Sequence, residues 1–177
     1  MKRMVGLLLA AALLGAGTAS ASEIGLGLGA FGGSCASVSQ DDVGDGFVYG
    51  ARLPVNLIHL LTVEGFYEAS SLGDGTDSSG VSTPGFDLSA WGANVLIGTL
   101  GGGGINFYPY IGIGSYTLDH GDSSETDTGY SFGFGMGLPP ISKFSIQLRI
   151  EGDAVDASDK TRWFGLLAAG LNYRFGK

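Results

Sequence analysis

The chain has 177 residues, of which 33 are glycine, and its formal net charge is −8 at pH 7. Hydrophobic residues make up 44% and charged residues only 15%, which excludes ordinary disorder. Glycine does not recur at every third position, which excludes collagen. A helical bundle is disfavoured because each glycine inside a helix costs about 1 kcal/mol. We therefore expect one β domain.

Residues 1–21 have the three parts of an export signal. Two basic residues near the start are followed by a leucine-rich segment, 5–16, and by Ala19-Ser20-Ala21, which matches a cleavage site. The apolar segment is shorter than the roughly 20 residues that a transmembrane helix needs. We predict a signal peptide over 1–21 and a mature domain over 22–177, with a retained N-terminal anchor as the alternative.

Apolar residues alternate with small or polar residues along the mature chain, as in strands with two different faces. In one segment Phe144, Ile146, Leu148 and Ile150 share a face, and Arg149 and Glu151 lie on the other. The fourth segment is the least regular of the series. Eight strands are predicted, over 23–33, 46–54, 59–70, 85–97, 106–117, 129–138, 143–153 and 162–175.

The connections between these segments alternate in character. Four are polar and hold 12 of the 17 acidic residues, over 41–45, 70–84, 119–128 and 153–159. The three between them carry no charge, over 54–58, 98–105 and 139–142. Short turns on the periplasmic side and longer loops outside are typical of transmembrane barrels. The pattern therefore indicates an eight-stranded antiparallel up-and-down transmembrane β-barrel.

The faces opposite the apolar ones favour a membrane barrel over a secreted soluble sandwich. Polar faces meet water in a sandwich, whereas small or polar residues fill the lumen of a small membrane barrel. Glycine and serine dominate several of these faces, and charges of both signs lie on them. The predicted lumen network is Glu23, Arg52, Glu64, Glu68, Asp87, Arg149, Glu151 and Arg174.

Buried charges need partners, so this network is expected to form ion pairs. Glu23 and Arg174 lie near the seam between the first and last strands, and Arg52 faces Glu64 across a short hairpin. Eight strands enclose a lumen just wide enough for side chains, which predicts a salt-bridged plug, with a narrow ion path as the alternative. The expected partner of Arg149 is Glu68, Asp87 or Glu151.

Aromatic residues gather near both ends of the predicted strands, as in the interfacial girdles of membrane barrels. The predicted girdle near the short turns is Tyr108, Phe144, Tyr173 and Phe175. The predicted girdle near the acidic loops is Phe47, Tyr67, Phe86, Tyr116, Tyr130 and Trp163.

The last strand ends with Gly170-Leu171-Asn172-Tyr173-Arg174-Phe175. This segment resembles the Gly-x-x-aromatic-x-Phe ending of outer-membrane barrels of the OmpA-like and OmpX/Ail-like kind. The resemblance implies an outer-membrane location among lipid and lipopolysaccharide. It also implies recognition by the barrel assembly machinery through Gly170, Tyr173 and Phe175. In many family members the phenylalanine is terminal, whereas two residues follow Phe175 here.

Catalytic, cofactor and metal sites are not predicted. His59 adjoins a short turn, and His120 lies near Ser123 in a loop too flexible for a triad, so a lipid-modifying enzyme is only a minor alternative. The glycines of 27–32 match a dinucleotide motif, but no helix follows them. The single Cys35 cannot form an internal disulfide and is expected as a free thiol in a loop, with an intermolecular disulfide as the alternative.

The acidic loops are expected to be a solvated surface of a monomer with a structural or surface-interaction role. Their charge disfavours nucleic acid and acidic polymers such as heparin as partners. Weak binding of divalent cations is the alternative, since carboxylates are the ligands that Ca²⁺ prefers, although no loop has EF-hand spacing. The carboxylates available for it are Asp74, Asp77, Asp119, Asp122, Glu125 and Asp127.

Overall fold

A computed structural model describes residues 25–39, 43–58, 60–76, 80–98, 104–121, 123–157 and 160–175. In these residues no helix is long and apolar enough to cross a membrane. The predicted signal peptide, Glu23 and His59 lie outside the described residues. The strands are β1 (Gly25–Ser37), β2 (Val43–Ile58), β3 (Leu61–Thr76), β4 (Ser82–Thr83), β5 (Asp87–Ile97), β6 (Asn106–Asp119), β7 (Ser124–Gly137), β8 (Phe144–Asp156) and β9 (Thr161–Phe175).

Eight of these strands form one closed antiparallel barrel. Each pairs with its neighbour along the chain, and β1 pairs with β9 to close the ring. The two-residue strand β4 lies in the connection between β3 and β5 and pairs only with the end of β3. Closure removes exposed strand edges, which lipid cannot satisfy. The predicted eight-stranded up-and-down barrel is confirmed.

The strands are longer than predicted at the end of the barrel that carries the acidic connections, here called the loop end. The strand predicted from residue 129 begins at Ser124, and the strand predicted to end at residue 70 continues to Thr76. Most of the predicted loop 119–128 is therefore paired sheet. A tilted transmembrane strand needs only about 9–11 residues, so the additional pairs make the wall taller than a bilayer requires.

The outer face of the barrel is an apolar belt. On β8, the alternate residues Phe144, Ile146, Leu148 and Ile150 are all exposed. Toward the loop end the outward residues of β7 become Thr126 and Thr128, so the belt has a polar border. The exposed aromatic residues at its two margins are Phe47, Tyr49, Tyr67, Trp91, Phe107, Tyr130, Phe144, Trp163 and Phe175.

Three aromatic residues predicted for the girdles lie inside the barrel instead. Phe86, Tyr108 and Tyr116 are all buried. In their place Tyr49, Trp91 and Phe107 are exposed on the outer face. Proximity to a strand end determines the height of a residue in the membrane but not its face, and Tyr108 and Tyr116 have the parity of the inward positions of β6.

An apolar layer fills the barrel interior at the loop end. It surrounds Cys35, which is buried in β1 and not in a loop as expected. Aromatic and aliphatic side chains of this layer therefore close the lumen on the loop side of its charged centre. The buried members of the layer include Phe31, Val48, Phe66, Leu72, Phe86, Leu88, Tyr116, Leu118, Val155, Phe164 and Leu166.

Glycines on the inner face of β7 make room for tyrosine rings of β6. Gly135 is paired with Tyr108, and Gly133 is paired with Tyr110. A Cβ on either glycine would collide with the facing tyrosine side chain. The high glycine content thus has a packing reason here, since a narrow barrel can hold large rings only opposite positions without side chains.

Candidate functional site

The centre of the lumen is an ion pair between opposite walls. β3 and β8 are separated by three strands in either direction around the barrel. Arg149 of β8 donates from Nη1 to Oε1 of Glu64 on β3 and from Nη2 to Oε2, both over 2.7 Å. Glu64 is 0% and Arg149 1% exposed. Two parallel bonds between charged groups form the strongest common type of side-chain contact, so this pair ties the two walls together.

Neighbouring polar side chains form further hydrogen bonds with both members of this pair. Arg149 Nε donates to Tyr108 Oη over 3.1 Å, and Nη2 also donates to Gln147 Oε1 over 3.2 Å. Asn94 Nδ2 donates to Glu64 Oε1 over 3.4 Å. Desolvated charges are tolerated only when their remaining hydrogen-bonding capacity is used in this way.

Arg52 forms the second cationic position of the lumen. Its guanidinium lies 3.8 Å from the centroid of the Phe31 ring. Its Nε lies 3.7 Å from Glu64 Oε1, and its Nη2 donates to Glu151 Oε2 over 3.4 Å. Glu151 Oε2 also accepts a 2.7 Å hydrogen bond from Tyr110. Arg52 therefore joins the central pair to the acidic groups nearer the loop end.

The predicted ion pairs differ from those that the structure contains. Arg52 and Glu64 face each other as predicted, but the main partner of Arg149 is Glu64 and not Glu68, Asp87 or Glu151. The predicted pair of Glu23 with Arg174 cannot be described, because Glu23 lies outside the described residues. Arg174 itself is half-buried in β9, near the opposite end of the barrel from the acidic loops.

The placement of Asp87 in the lumen is wrong. Asp87 is exposed on the outer face at the start of β5, because its neighbours Leu88 and Ala90 occupy inward positions of the apolar layer. Asp153, predicted to lie at the boundary between a strand and an outer loop, is fully buried in β8. The alternation of β8 contains the signal for it, since Asp153 continues the inward series of Arg149 and Glu151.

Glu68, Glu151 and Asp153 form a buried acidic cluster, here called the acidic trio. One carboxylate oxygen from each lies within 4.8 Å of the others. Tyr116 donates from Oη to Asp153 Oδ1 over 3.0 Å. The trio lies next to Arg52 and adjoins the apolar layer through Tyr116.

Two exposed aspartates oppose each other on the outer wall at the loop end. Asp87 of β5 is paired directly with Asp119 of β6. Like charges in directly opposed positions destabilise a sheet. Asp119 also accepts a 2.8 Å bond from the Gly121 amide, which fixes its side chain in the turn.

Replacing Asp87 by asparagine is therefore expected to stabilise the barrel by about 0.5 kcal/mol at low salt. The gain should disappear in about 1 M salt, where screening acts over roughly 3 Å. Urea unfolding of the refolded protein in detergent at two salt concentrations measures it. Asp156→Asn is the matched control, because exposed Asp156 is paired with an uncharged residue, Thr161. Equal gains in both variants would contradict the explanation.

The predicted assembly segment lies at the end of β9. The rings of Tyr173 and Phe175 make an edge contact at 5.2 Å, and Phe144 of β8 lies 5.2 Å from Tyr173. Gly170 faces inward, opposite Phe31 of β1.

At the loop end, the His120 ring stacks on Phe86 at 5.0 Å.

A closed antiparallel barrel with an apolar exterior and a salt-bridged interior defines an integral β-barrel of the membrane. The chain belongs to the family described as outer membrane protein beta-barrel domain, whose model matches residues 6–175. It is accordingly an outer-membrane protein, and in such barrels the longer loops face the outside of the cell.

Solved structures of small bacterial barrels are similar to this chain in fold. The crystal structure of Neisserial surface protein A has a TM-score of 0.64 and 16% identity, covering 86% of this chain and 97% of that one. Yersinia pestis Ail in a phospholipid bilayer nanodisc has a TM-score of 0.52 and 16% identity, covering 85% and 99%. The crystal structure of Ail of the same organism in complex with the heparin analogue sucrose octasulfate has a TM-score of 0.51 and 14% identity. It covers 86% of this chain and 98% of that one. The curated proteins contain no match.

Proposed function

We propose that this protein is a non-enzymatic surface barrel whose closed lumen holds the wall rigid while the acidic loop end contacts other molecules. The observation that carries the proposal is the central pair of Arg149 and Glu64, which spans the lumen from wall to wall. Above it, Phe31, Phe86 and Phe164 belong to the apolar layer. An ion path through the lumen would have to separate the pair of Arg149 and Glu64 and hydrate the apolar layer.

The purified protein is expected to show no large, stable openings in planar bilayers, because opening requires separation of buried opposite charges. Single-channel recording across a range of voltages measures this, with a porin reconstituted in the same way as the positive control. Frequent openings of constant size would favour the narrow-channel alternative instead.

The absence of catalysis is part of the proposal. His120 contacts an aromatic ring of the apolar layer and occupies a short connection between β6 and β7. The backbone amide of His120 donates to the Ser123 carbonyl over 2.9 Å. A nucleophile and base need side chains aligned with each other, and this contact aligns only main chains.

The proposed partners follow from the two ends of the barrel. At the loop end, exposed carboxylates at Asp45, Asp74 and Asp119 favour contact with lipopolysaccharide through bridging divalent cations. Ail was crystallised with a heparin analogue, but the acidic rim of this chain repels sulfated polymers, and we propose that it does not bind them. At the other end, Gly170, Tyr173 and Phe175 are the proposed signal for the barrel assembly machinery, and the inserted protein is proposed to be a monomer.

A further inference from the structure

The buried charges of the described lumen do not balance. Six charged residues are buried there, and only Arg52 and Arg149 are cationic. Arg149 gives two hydrogen bonds to Glu64. Four carboxylates and two guanidinium groups leave an excess of two negative charges. Buried charge of one sign without compensation is costly, so a further positive charge is required or the carboxylates must take up protons. The four carboxylates are Glu64, Glu68, Glu151 and Asp153.

The excess charge is concentrated in the acidic trio. Glu68 extends from β3, whereas Glu151 and Asp153 extend from β8 on the opposite wall. One oxygen of each lies within 4.8 Å of the other two. Among the described residues these oxygens have few hydrogen-bond donors. Tyr110 and Arg52 donate to Glu151, and Tyr116 donates to one oxygen of Asp153.

Two buried oxygens of the trio have no hydrogen-bond partner in the described part of the chain. They are Oε1 of Glu68 and Oδ2 of Asp153. Glu68 is 3% and Asp153 0% exposed, so bulk water does not solvate these atoms. Native structures rarely leave such acceptors unsatisfied, and a carboxylate oxygen that lacks a donor is suited to bind a cation.

We propose that the acidic trio binds one divalent cation of the calcium class inside the lumen, beneath the apolar layer. One such ion neutralises the excess of two charges. All the ligands are oxygens, and oxygens on opposite sides of Ca²⁺ stand roughly 4.6–5.2 Å apart, given bonds of 2.3–2.6 Å. The smaller Mg²⁺ keeps most of its water, which this packed interior does not accommodate as readily. The proposal does not depend on what the loops bind.

A site enclosed in this way is expected to load during folding and to exchange slowly afterwards. The full-length protein is therefore refolded into detergent micelles from urea with Ca²⁺ or with a chelator, then dialysed exhaustively, and bound metal is measured by elemental analysis. The wild-type barrel should retain one equivalent of Ca²⁺. Refolding with Tb³⁺ should add emission sensitised by Tyr116, whose hydroxyl lies 3.0 Å from Asp153 Oδ1.

Glu68→Gln and Asp153→Asn remove the charge of one ligand with little change in shape. Both should lose the retained ion, with a larger effect than the roughly 10- to 100-fold loss of affinity caused by removing an outer-shell partner. The matched control, Asp119→Asn, removes an exposed carboxylate at the end of β6 and should retain one equivalent. A heat-dependent shift in gel mobility shows whether each variant has folded.

Stability gives a second measurement that does not depend on retention. Calcium during refolding should raise the urea midpoint of the wild type and of Asp119→Asn, and leave that of Glu68→Gln unchanged, because only bound ligand stabilises the native state. Retention by Glu68→Gln and Asp153→Asn at the wild-type level would overturn the proposal by placing the ion on the loops. A wild-type barrel without retained ion and without a calcium response would overturn it in favour of protonated carboxylates.

Discussion

Replacing Arg149 by methionine is expected to lower the free energy of unfolding by about 3–5 kcal/mol, because it leaves Glu64 as a buried carboxylate without its main partner. The remaining contacts of Glu64 are weak, with Asn94 Nδ2 at 3.4 Å and Arg52 Nε at 3.7 Å. Urea titration of the protein refolded in lipid vesicles measures the loss. The midpoint urea concentration should fall, whereas the slope of the free energy against urea concentration should stay the same. The slope depends on the surface area that unfolding exposes, and this area is nearly equal in the variant and the wild type.

A second substitution separates the cost of an isolated charge from the value of the pair. Arg149→Met combined with Glu64→Met removes both charges, and the double variant is expected to be more stable than Arg149→Met alone. Lys143→Met is the control, because Lys143 is exposed in the turn before β8 and should change stability by less than about 0.5 kcal/mol. A double variant less stable than either single variant would contradict this explanation, because losses that add up mean that the two side chains contribute independently of each other.

The side-chain periodicity predicted most of the wall correctly because lipid imposes a simple rule on it. Outward positions must be apolar in lipid, so the series from Phe144 to Ile150 could be placed from alternation alone. The rule fails where both faces of a strand are apolar. In β5, Trp91 and Val95 face outward while Leu88 and Leu96 are buried, and this ambiguity put Asp87 on the wrong face.

Partners across the lumen could not be predicted, because they depend on the stagger of the strands around the ring and not on sequence distance. Glu64 and Arg149 are 85 residues apart and lie on opposite walls. The predicted partner Glu68 lies on the same face of β3, four residues nearer the loop end, so alternation cannot choose between the two. Shear, which sets the relative height of opposite strands, decides the choice.

The acidic trio escaped prediction for a related reason. Asp153 follows Gly152 and precedes a polar segment, which is typical of a loop, yet β8 continues to Asp156. Its carboxylate becomes part of a cluster only because Glu68 meets it from the opposite wall. Local spacing therefore carried no metal-ligand pattern, and the cluster exists only in the closed barrel.

The inward glycines of β7 determine where the tyrosine rings that support the ion pair can lie. Gly135 faces Tyr108, whose hydroxyl accepts a 3.1 Å hydrogen bond from Arg149 Nε. Tyr108 is 1% exposed, and a Cβ on Gly135 would occupy the same space as its ring. The ring cannot move outward through the wall, so it must shift within a lumen that is already filled.

Gly135→Ala is therefore expected to destabilise the barrel by about 1–3 kcal/mol, the usual cost of overpacking a filled interior. Urea unfolding in vesicles measures it beside Gly65→Ala, the matched control. Gly65 lies on the outer face of β3 and a Cβ there meets nothing within 4 Å, so alanine should be neutral or slightly stabilising. If the two variants were equally stable, Tyr108 would have room to move, and its contact with Arg149 would contribute little to the rigidity of the lumen.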